Sequence, residues 1–143
     1  MKEVLDNLWS VQKKYREQLQ KLTRAHDLTI AEWELLRNIK AGARTQKDLV
    51  TQSSLDVSTL SRQLNKLLDK QMISFQKIPG AFPNSKKKHS YSLTTKGDAT
   101  IVNLEKNLHE FKQHLFLHWS AEEENLLKIL LNRLAKSLER DKL

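Results

Sequence analysis

Cysteine is absent from this chain of 143 residues, and glycine is scarce, with only three copies. The lack of cysteine excludes disulfides, thiolate metal sites and thiol redox switches. Three glycines do not make a glycine-rich phosphate loop, and the chain has no nucleophile motif. No apolar run approaches the roughly 20 residues of a membrane span, and the N-terminus MKEVLDNLW lacks the pattern of a secretion signal. We therefore expect a soluble, cytoplasmic protein that is not an enzyme.

Positive charge is the main compositional surplus. The 25 lysines and arginines exceed the 17 acidic residues, which gives a net charge of +8 and a pI near 9.7. A polyanion is a natural partner for such a chain, although surplus charge can also serve solubility alone. The basic residues crowd the middle of the sequence, at Arg37, Lys40, Arg44, Lys47, Arg62, Lys66, Lys70, Lys77, Lys86, Lys87, Lys88 and Lys96.

The segment from Thr45 to Ile73 is typical of two short helices joined by a tight turn. Thr45 can cap the first helix, with Asp48 in its first turn and with Leu49 and Val50 facing inward. Asp56 can cap the second helix. The apolar residues of that helix recur at steps of three and four and form one stripe, made of Val57, Leu60, Leu64, Leu67 and Leu68.

The polar residues of the second helix lie off this stripe, where they can contact DNA. Arginine can bind guanine, asparagine can bind adenine, and hydroxyl groups and lysine can contact bases or phosphates. The alternative is an ordinary amphipathic helix with a solvated polar face. The residues concerned are Ser58, Thr59, Ser61, Arg62, Asn65 and Lys66.

The rest of the pattern predicts a mostly α protein with a small β-hairpin. A helix beginning at Thr29, with Thr29 and Glu32 as a capping box, should stop at Gly42. Its inward residues are predicted to be Ile30, Trp33, Leu36 and Ile39. After the two short helices, ISFQKI (residues 73–78) and HSYSLT (residues 89–94) alternate as strands around the basic loop 79–88. This order makes a winged helix-turn-helix.

Helices at both ends of the chain carry apolar stripes. One spans residue 3 to about residue 25, a long one runs from about Thr95 to Trp119, and the last begins with a capping box of Ser120 and Glu123. No neighbouring element in the sequence covers these stripes fully. Packing the same helices from two subunits would bury them in a symmetric dimer, and packing within one chain is the alternative.

The sequence resembles the MarR family of bacterial transcription regulators. Three segments carry the resemblance: LTIAEWELLRNI at 28–39, TQKDLVTQSSLDVSTLSRQLNKLLDKQMI at 45–73, and YSLTTKG at 91–97. It implies one MarR-like domain over 1–143, with a winged helix-turn-helix DNA-binding lobe at 29–96 and dimerisation helices at 1–26 and 97–143. It also implies that a recognition helix at about 57–70 enters the major groove, and that small ligands bind between the lobe and the dimer helices.

The sequence departs from the family pattern in the wing and in two turns. Ser85 and Lys87 stand where the family commonly has an aspartate and an arginine that brace the wing. Lysine suits a narrow minor groove less well than arginine, so we expect the wing to anchor to phosphates. Ser54 and Gln71 stand at turn positions where the family commonly has glycine. The DNA-binding residues we predict are Thr45, Gln46, Lys47, Ser58, Thr59, Ser61, Arg62, Asn65, Lys66, Lys86, Lys87 and Lys88.

Two further groups of residues could bind small partners. Trp9, Tyr15 and Trp33 are candidates for a ligand crevice, with a place in the core as the alternative for Trp33. Glu110, His114 and His118 recur at one-turn spacing, which can hold zinc on one helix face, although histidines there are more often surface or dimer contacts. We assign neither a ligand nor a metal, and no cofactor.

We therefore expect a homodimer that binds double-stranded DNA at an inverted-repeat operator, most often as a repressor relieved by a small molecule. The alternatives are a winged-helix module for protein or RNA contact, or a metal-responsive regulator of the same family. Exposed apolar residues on the recognition face would favour protein contact, whereas aromatic residues there would favour single-stranded RNA.

Overall fold

The predicted fold class, mostly α with a small β-hairpin, is confirmed. A computed structural model describes residues 3–53, 55–78 and 88–140. Their elements are α1 Val4–Arg24, α2 Ile30–Lys40, α3 Gln46–Gln52, α4 Val57–Asp69, β1 Ile73–Ile78, β2 Lys88–Leu93, α5 Thr95–Leu115 and α6 Ala121–Arg140.

The chain divides into two compact units, 1–107 and 108–143. The first contains α1 to α4, the hairpin and the first part of α5, and the second contains the end of α5 and all of α6. Among the described residues, no helix combines the length and apolar character that a membrane crossing requires.

The core of the first unit forms around α2, α3 and α4. One apolar face of each helix is buried, because apolar residues at steps of three and four lie on one side of a helix. The stripe predicted for α2 is mostly correct, with Ile30 half-buried and Leu35 buried in addition. The side chains least exposed on these three helices are Leu35, Leu36, Ile39, Leu49, Leu60, Leu64 and Leu67.

The ends of these helices follow local chemistry. Thr29 and Glu32 form the predicted capping box of α2, with hydrogen bonds of 2.9 and 3.1 Å between side chains and backbone N–H groups. At the other end, Gly42 has a φ of +118°, and the Ala43 N–H donates to the Asn38 carbonyl at 2.9 Å. This backbone conformation favours glycine, so α2 ends where the sequence predicts.

The hairpin is antiparallel, with Ile73 opposite Leu93 and Ile78 opposite Lys88. Its second strand is also tied to the segment before α3, because the Tyr91 N–H donates to the Arg44 carbonyl at 2.7 Å. After the hairpin, Gly97 packs directly against the backbone of Met72, the residue before β1. A Cβ atom at position 97 would collide with the Met72 carbonyl oxygen. The YSLTTKG segment therefore needs glycine for close backbone approach.

Two predictions about helices are wrong in detail. Val57 was predicted to face inward with the α4 stripe, yet 58% of it is exposed, because it lies in the first turn, beyond the core that covers Leu60. Helix α5 ends at Leu115 instead of Trp119. The chain leaves the helix in a turn where the Leu117 N–H donates to the His114 carbonyl, and Phe116 packs edge-on against Trp119, with ring centroids 5.0 Å apart.

The terminal helices expose much of their apolar surface. In α1, Leu19 is buried, whereas most of the N-terminal half of the stripe is exposed and Leu8 is half-buried. In the second unit, α6 has no buried residue. The large apolar side chains exposed on these helices are Val4, Leu5, Trp9, Val11, Tyr15, Leu126, Ile129, Leu130, Leu131 and Leu138.

Candidate nucleic-acid interface

The first turn of α3 is fixed by a capping box. The Thr45 hydroxyl accepts from the Asp48 N–H at 3.1 Å, and the Asp48 carboxylate accepts from the N–H groups of Thr45 and Arg44 at 3.2 and 3.3 Å. Hydrogen bonds from Thr45, through its backbone first, and from Arg44 lower the pKa of Asp48. Thr45 therefore has a structural role in addition to the DNA contact predicted for it.

A side-chain hydrogen bond joins α3 to α4. Gln46 Nε2, in the first residue of α3, donates to Ser61 Oγ at 2.7 Å. Both residues are half-buried, and both were predicted to contact DNA. The bond joins the start of α3 to the second turn of α4, and it limits the rotamers that either side chain can adopt.

The first turn of α4 is capped by Asp56, as predicted. Its carboxylate accepts from the Thr59 N–H at 2.7 Å and from the Ser58 hydroxyl at 3.1 Å. These bonds, that from the Thr59 backbone first, lower the pKa of Asp56. Because the Ser58 hydroxyl proton points to Asp56, its oxygen presents lone pairs to a ligand.

Further along α4, the polar face is open to solvent. Arg62, Asn65 and Lys66 are exposed, as is Lys47 on α3. Within the described part of the chain, the ion pairs are Lys40 with Asp98 and Lys70 with Glu32, so no ion pair occupies the Arg62 guanidinium. Helix α4 therefore carries free hydrogen-bond donors on its outer face, and its inner face is fixed in the core.

The C-terminal end of α4 is held by a network that joins four parts of the first unit. Lys70 Nζ lies 3.0 Å from each carboxylate oxygen of Glu32 and donates to the Asp27 carbonyl at 2.7 Å. The Lys70 carbonyl in turn accepts from Lys96 Nζ at 2.9 Å. The Glu32 side chain is 1% exposed. Lys70 thus serves to position α4 and is not free to bind a phosphate.

The predicted wing and turn residues lie only partly within the described part of the chain. Lys86 and Lys87 lie outside the described residues, as do Ser85 and the turn residue Ser54, whereas Lys88 begins β2. The other predicted turn position, Gln71, has a φ of +60°, which is the conformation that glycine adopts most easily. The hairpin strands hold each other through Ser74 and Ser92, whose hydroxyl oxygens are 3.1 Å apart.

The residues predicted as candidates for binding a small molecule or a metal ion lie in different environments. Trp33 is 6% exposed and lies under the guanidinium of Arg37, 4.8 Å from the ring centroid, so it belongs to the core. Trp9 and Tyr15 stand exposed on α1. His118 follows the end of α5 and does not share a helix with Glu110 and His114. Within the described residues, no three histidine or acidic side chains lie close enough together to hold a metal ion.

Sequence reasoning missed two features of this interface. The ion pair of Glu32 and Lys70 joins residues 38 positions apart, so no local pattern indicated it. The exposure of Val57 had one available signal, its place directly after the Asp56 cap, where a helix has only begun to pack.

Comparisons with known proteins bear on the family and the fold of this chain. Residues 28–80 match the sequence model of the MarR family. The chain is similar to a mutant MarR from E. coli solved with operator DNA, at 26% identity over 90% of this chain and 91% of that one, with a TM-score of 0.72. No curated protein matches the chain.

Two S. aureus structures have the same fold at lower identity. A mutant MepR is 19% identical, with a TM-score of 0.79 over 96% of this chain and 99% of that one. A MarR solved with salicylate and kanamycin is 14% identical, with a TM-score of 0.81 over 96% and 91%. The sequence match at 28–80 and the described fold thus make the chain similar to the MarR family of transcription regulators.

Proposed function

We propose that this chain is a homodimeric repressor that binds double-stranded DNA at a specific inverted-repeat operator. The observation that carries the proposal is the outer face of α4, where Arg62 and Asn65 are exposed and the guanidinium has no ion-pair partner among the described residues. Arginine can form two hydrogen bonds with guanine and asparagine two with adenine, both at the major-groove edge. Lys47 and Lys66 supply charge for phosphates.

The composition of this face favours DNA over protein or RNA. A surface for protein contact needs a cluster of apolar side chains, and Val57 is a single apolar side chain among polar ones. Readers of single-stranded RNA stack bases on aromatic rings, and the sequence of α4 contains none. The family match adds support, because the MarR family consists of transcription regulators.

The proposed dimer rests on the apolar surfaces of the terminal helices. Large side chains such as Trp9 and Leu138 are 71% and 63% exposed in a single chain. Apolar surface of this extent on two helices is typical of an interface, and a second copy of the chain offers matching surface. In such a dimer, two α4 helices about 34 Å apart would enter successive major grooves on one side of the duplex.

Repression follows if the operator overlaps a promoter, because the bound dimer would exclude polymerase. The protein would then act in the cytoplasm, where bacterial DNA lies. The lysines at 86–88 would anchor the wing to phosphates. A small ligand would relieve binding, and salicylate is the first compound to test, because the similar S. aureus protein was solved with it.

The experiment that tests the proposal is selection of binding sites from a random duplex pool at about 0.15 M salt, where binding by charge alone is weak. We expect enrichment of an inverted repeat whose half-sites are about one helical turn apart. Sedimentation of the protein with the selected duplex should give two chains per site. A pool without enrichment would contradict sequence-specific binding, and one chain per site would contradict the dimer.

A further inference from the structure

Val57 is an apolar side chain that the fold leaves uncovered at the start of the recognition helix. Its neighbours on the apolar stripe, Leu60 and Leu64, are at most 1% exposed, whereas Val57 is 58% exposed. A β-branched residue that is mostly exposed in a first helical turn gains little from core packing and has a helix propensity below that of alanine. The fold alone therefore gives no reason for valine at this position.

The position of Val57 puts it among the residues proposed to contact bases. It is the first residue of α4, and residues at the N-terminal end of a recognition helix contact base edges. Because the Cα–Cβ bonds of a helix tilt toward its N-terminus, the side chain extends from that end. Ser61 lies one turn further on the same face and is held there by Gln46.

The chemistry of the major groove offers one apolar group to such a side chain. Each base pair presents hydrogen-bond donors and acceptors at its edge, and only the pyrimidine 5-methyl group is apolar. Thymine carries this methyl group, and 5-methylcytosine carries the same one. The flanking polar residues, Ser58 and Ser61, already have hydrogen-bond partners in Gln46 and Asp56: Ser61 accepts from Gln46, and Ser58 donates to Asp56.

We propose that Val57 determines specificity by contacting a pyrimidine 5-methyl group at one position in each half-site. The inference rests on the proposed function, because it requires that α4 enters the major groove of an operator. It adds a preference that the hydrogen bonds of Arg62 and Asn65 cannot supply, since a hydrogen bond to a base edge does not detect a methyl group.

The test uses the full chain and the selected operator, with uracil replacing each thymine in turn. Uracil keeps every hydrogen-bonding group of thymine and lacks only the methyl group. We expect one position per half-site where this change weakens binding about fourfold, which is the effect of one buried methyl-sized group. The other thymines serve as internal controls.

Two variants connect that effect to the side chain. In Val57→Ala the penalty for uracil should fall to near onefold at that position, and Val57→Thr, which has the same shape but one methyl fewer, should give an intermediate value. A second pair of duplexes carries cytosine or 5-methylcytosine at the same position, opposite guanine. The wild-type protein should favour the methylated form by a similar factor.

Three results would overturn the proposal: no thymine position sensitive to uracil, a penalty that persists in both variants, or no preference for 5-methylcytosine over cytosine. Each differs from failure of the proposed function, which would appear earlier as the lack of any enriched operator. Thermal melting of both variants checks that a lost preference does not come from unfolding.

Discussion

Lys70 Nζ, at the end of α4, lies 3.0 Å from both carboxylate oxygens of Glu32, in the first turn of α2. The Glu32 side chain is 1% exposed and that of Lys70 is 27% exposed. The ammonium of Lys70 therefore offsets the cost of removing the Glu32 charge from water. The same carboxylate completes the capping box with Thr29. One buried acidic group therefore links the start of α2 to the end of α4.

Replacing Lys70 by methionine should destabilise the protein by up to about 3 kcal/mol, because it leaves a buried carboxylate without its partner. Urea unfolding would measure the change. Lys40→Met is the matched control: the Lys40–Asp98 pair is 3.5 Å long and both side chains are more than a third exposed, so its loss should cost at most about 1 kcal/mol. Equal losses of unfolding free energy in the two variants would contradict the importance of burial for the Glu32–Lys70 pair.

Gln71→Gly should stabilise the protein by about 1 kcal/mol. Gln71 has a φ of +60°, where a side chain is strained and glycine is not. The side chain is exposed, and the hydrogen bond from Thr94 goes to the Gln71 backbone carbonyl, which glycine keeps. Gln76→Gly, at an exposed position of β1, is the control and should be destabilising. A lower melting temperature for Gln71→Gly would refute the strain.

The caps of α3 and α4 should make stability fall in acid. The folded-state pKa of Asp56 lies below its ordinary value of 3.8, chiefly because the carboxylate accepts from the Thr59 backbone. Its stabilising effect is therefore fully present above pH 3.8 and is lost as the pH falls through the lower folded-state pKa.

Asp56→Asn separates the cap from its charge, because asparagine caps helices and does not titrate. Melting temperatures between neutral pH and about pH 3 should fall less steeply for Asp56→Asn than for the wild-type protein. Asp56→Ala should melt at a lower temperature than the wild type at neutral pH, since it removes the cap altogether. Parallel curves for the wild type and Asp56→Asn would show that this carboxylate is not the source of the acid sensitivity.

Arg62→Ala should weaken binding to the selected operator by about 1–3 kcal/mol and relax its specificity, if the guanidinium contacts a base with two hydrogen bonds. Arg62→Lys keeps the charge without the planar fork, so it should bind random DNA as the wild type does and still lose specificity.

Replacing Lys86, Lys87 and Lys88 together should weaken binding to all sequences and flatten the salt dependence.

Two outcomes would reassign these residues. If Arg62→Ala lowered the affinities for operator and random DNA equally, Arg62 would be a phosphate anchor. If the triple lysine change left the salt slope untouched, the wing would not contact DNA.

Features set by neighbouring residues could be predicted from the sequence. The caps at Thr29, Thr45 and Asp56 depend on a side chain and a backbone group within three positions, and each forms as predicted. The end of α2 at Gly42 is equally local. The polar face of α4 follows from helical spacing, and its exposure agrees with the prediction for Arg62 and Asn65.

The remaining features depend on contacts between distant parts of the chain. The spacing of α4 assigns Val57 to the apolar stripe, but spacing does not say how far along a helix the core extends. No glycine or proline marks the end of α5 at Leu115, where the chain leaves the helix and Phe116 packs on Trp119. The roles assigned to DNA-contacting residues, and the division at residues 29–96, stay predictions.

The hydrogen bond from Gln46 to Ser61 has a consequence for engineering. Recognition helices are often treated as exchangeable cassettes, in which a few residues are swapped to redirect a regulator to a new promoter. In this protein, a residue at position 61 that cannot accept the hydrogen bond would free the Gln46 side chain. The side-chain surface at the start of α3 would then change as well. A graft that retargets this protein should therefore transfer the capped helices 45–69 as one block.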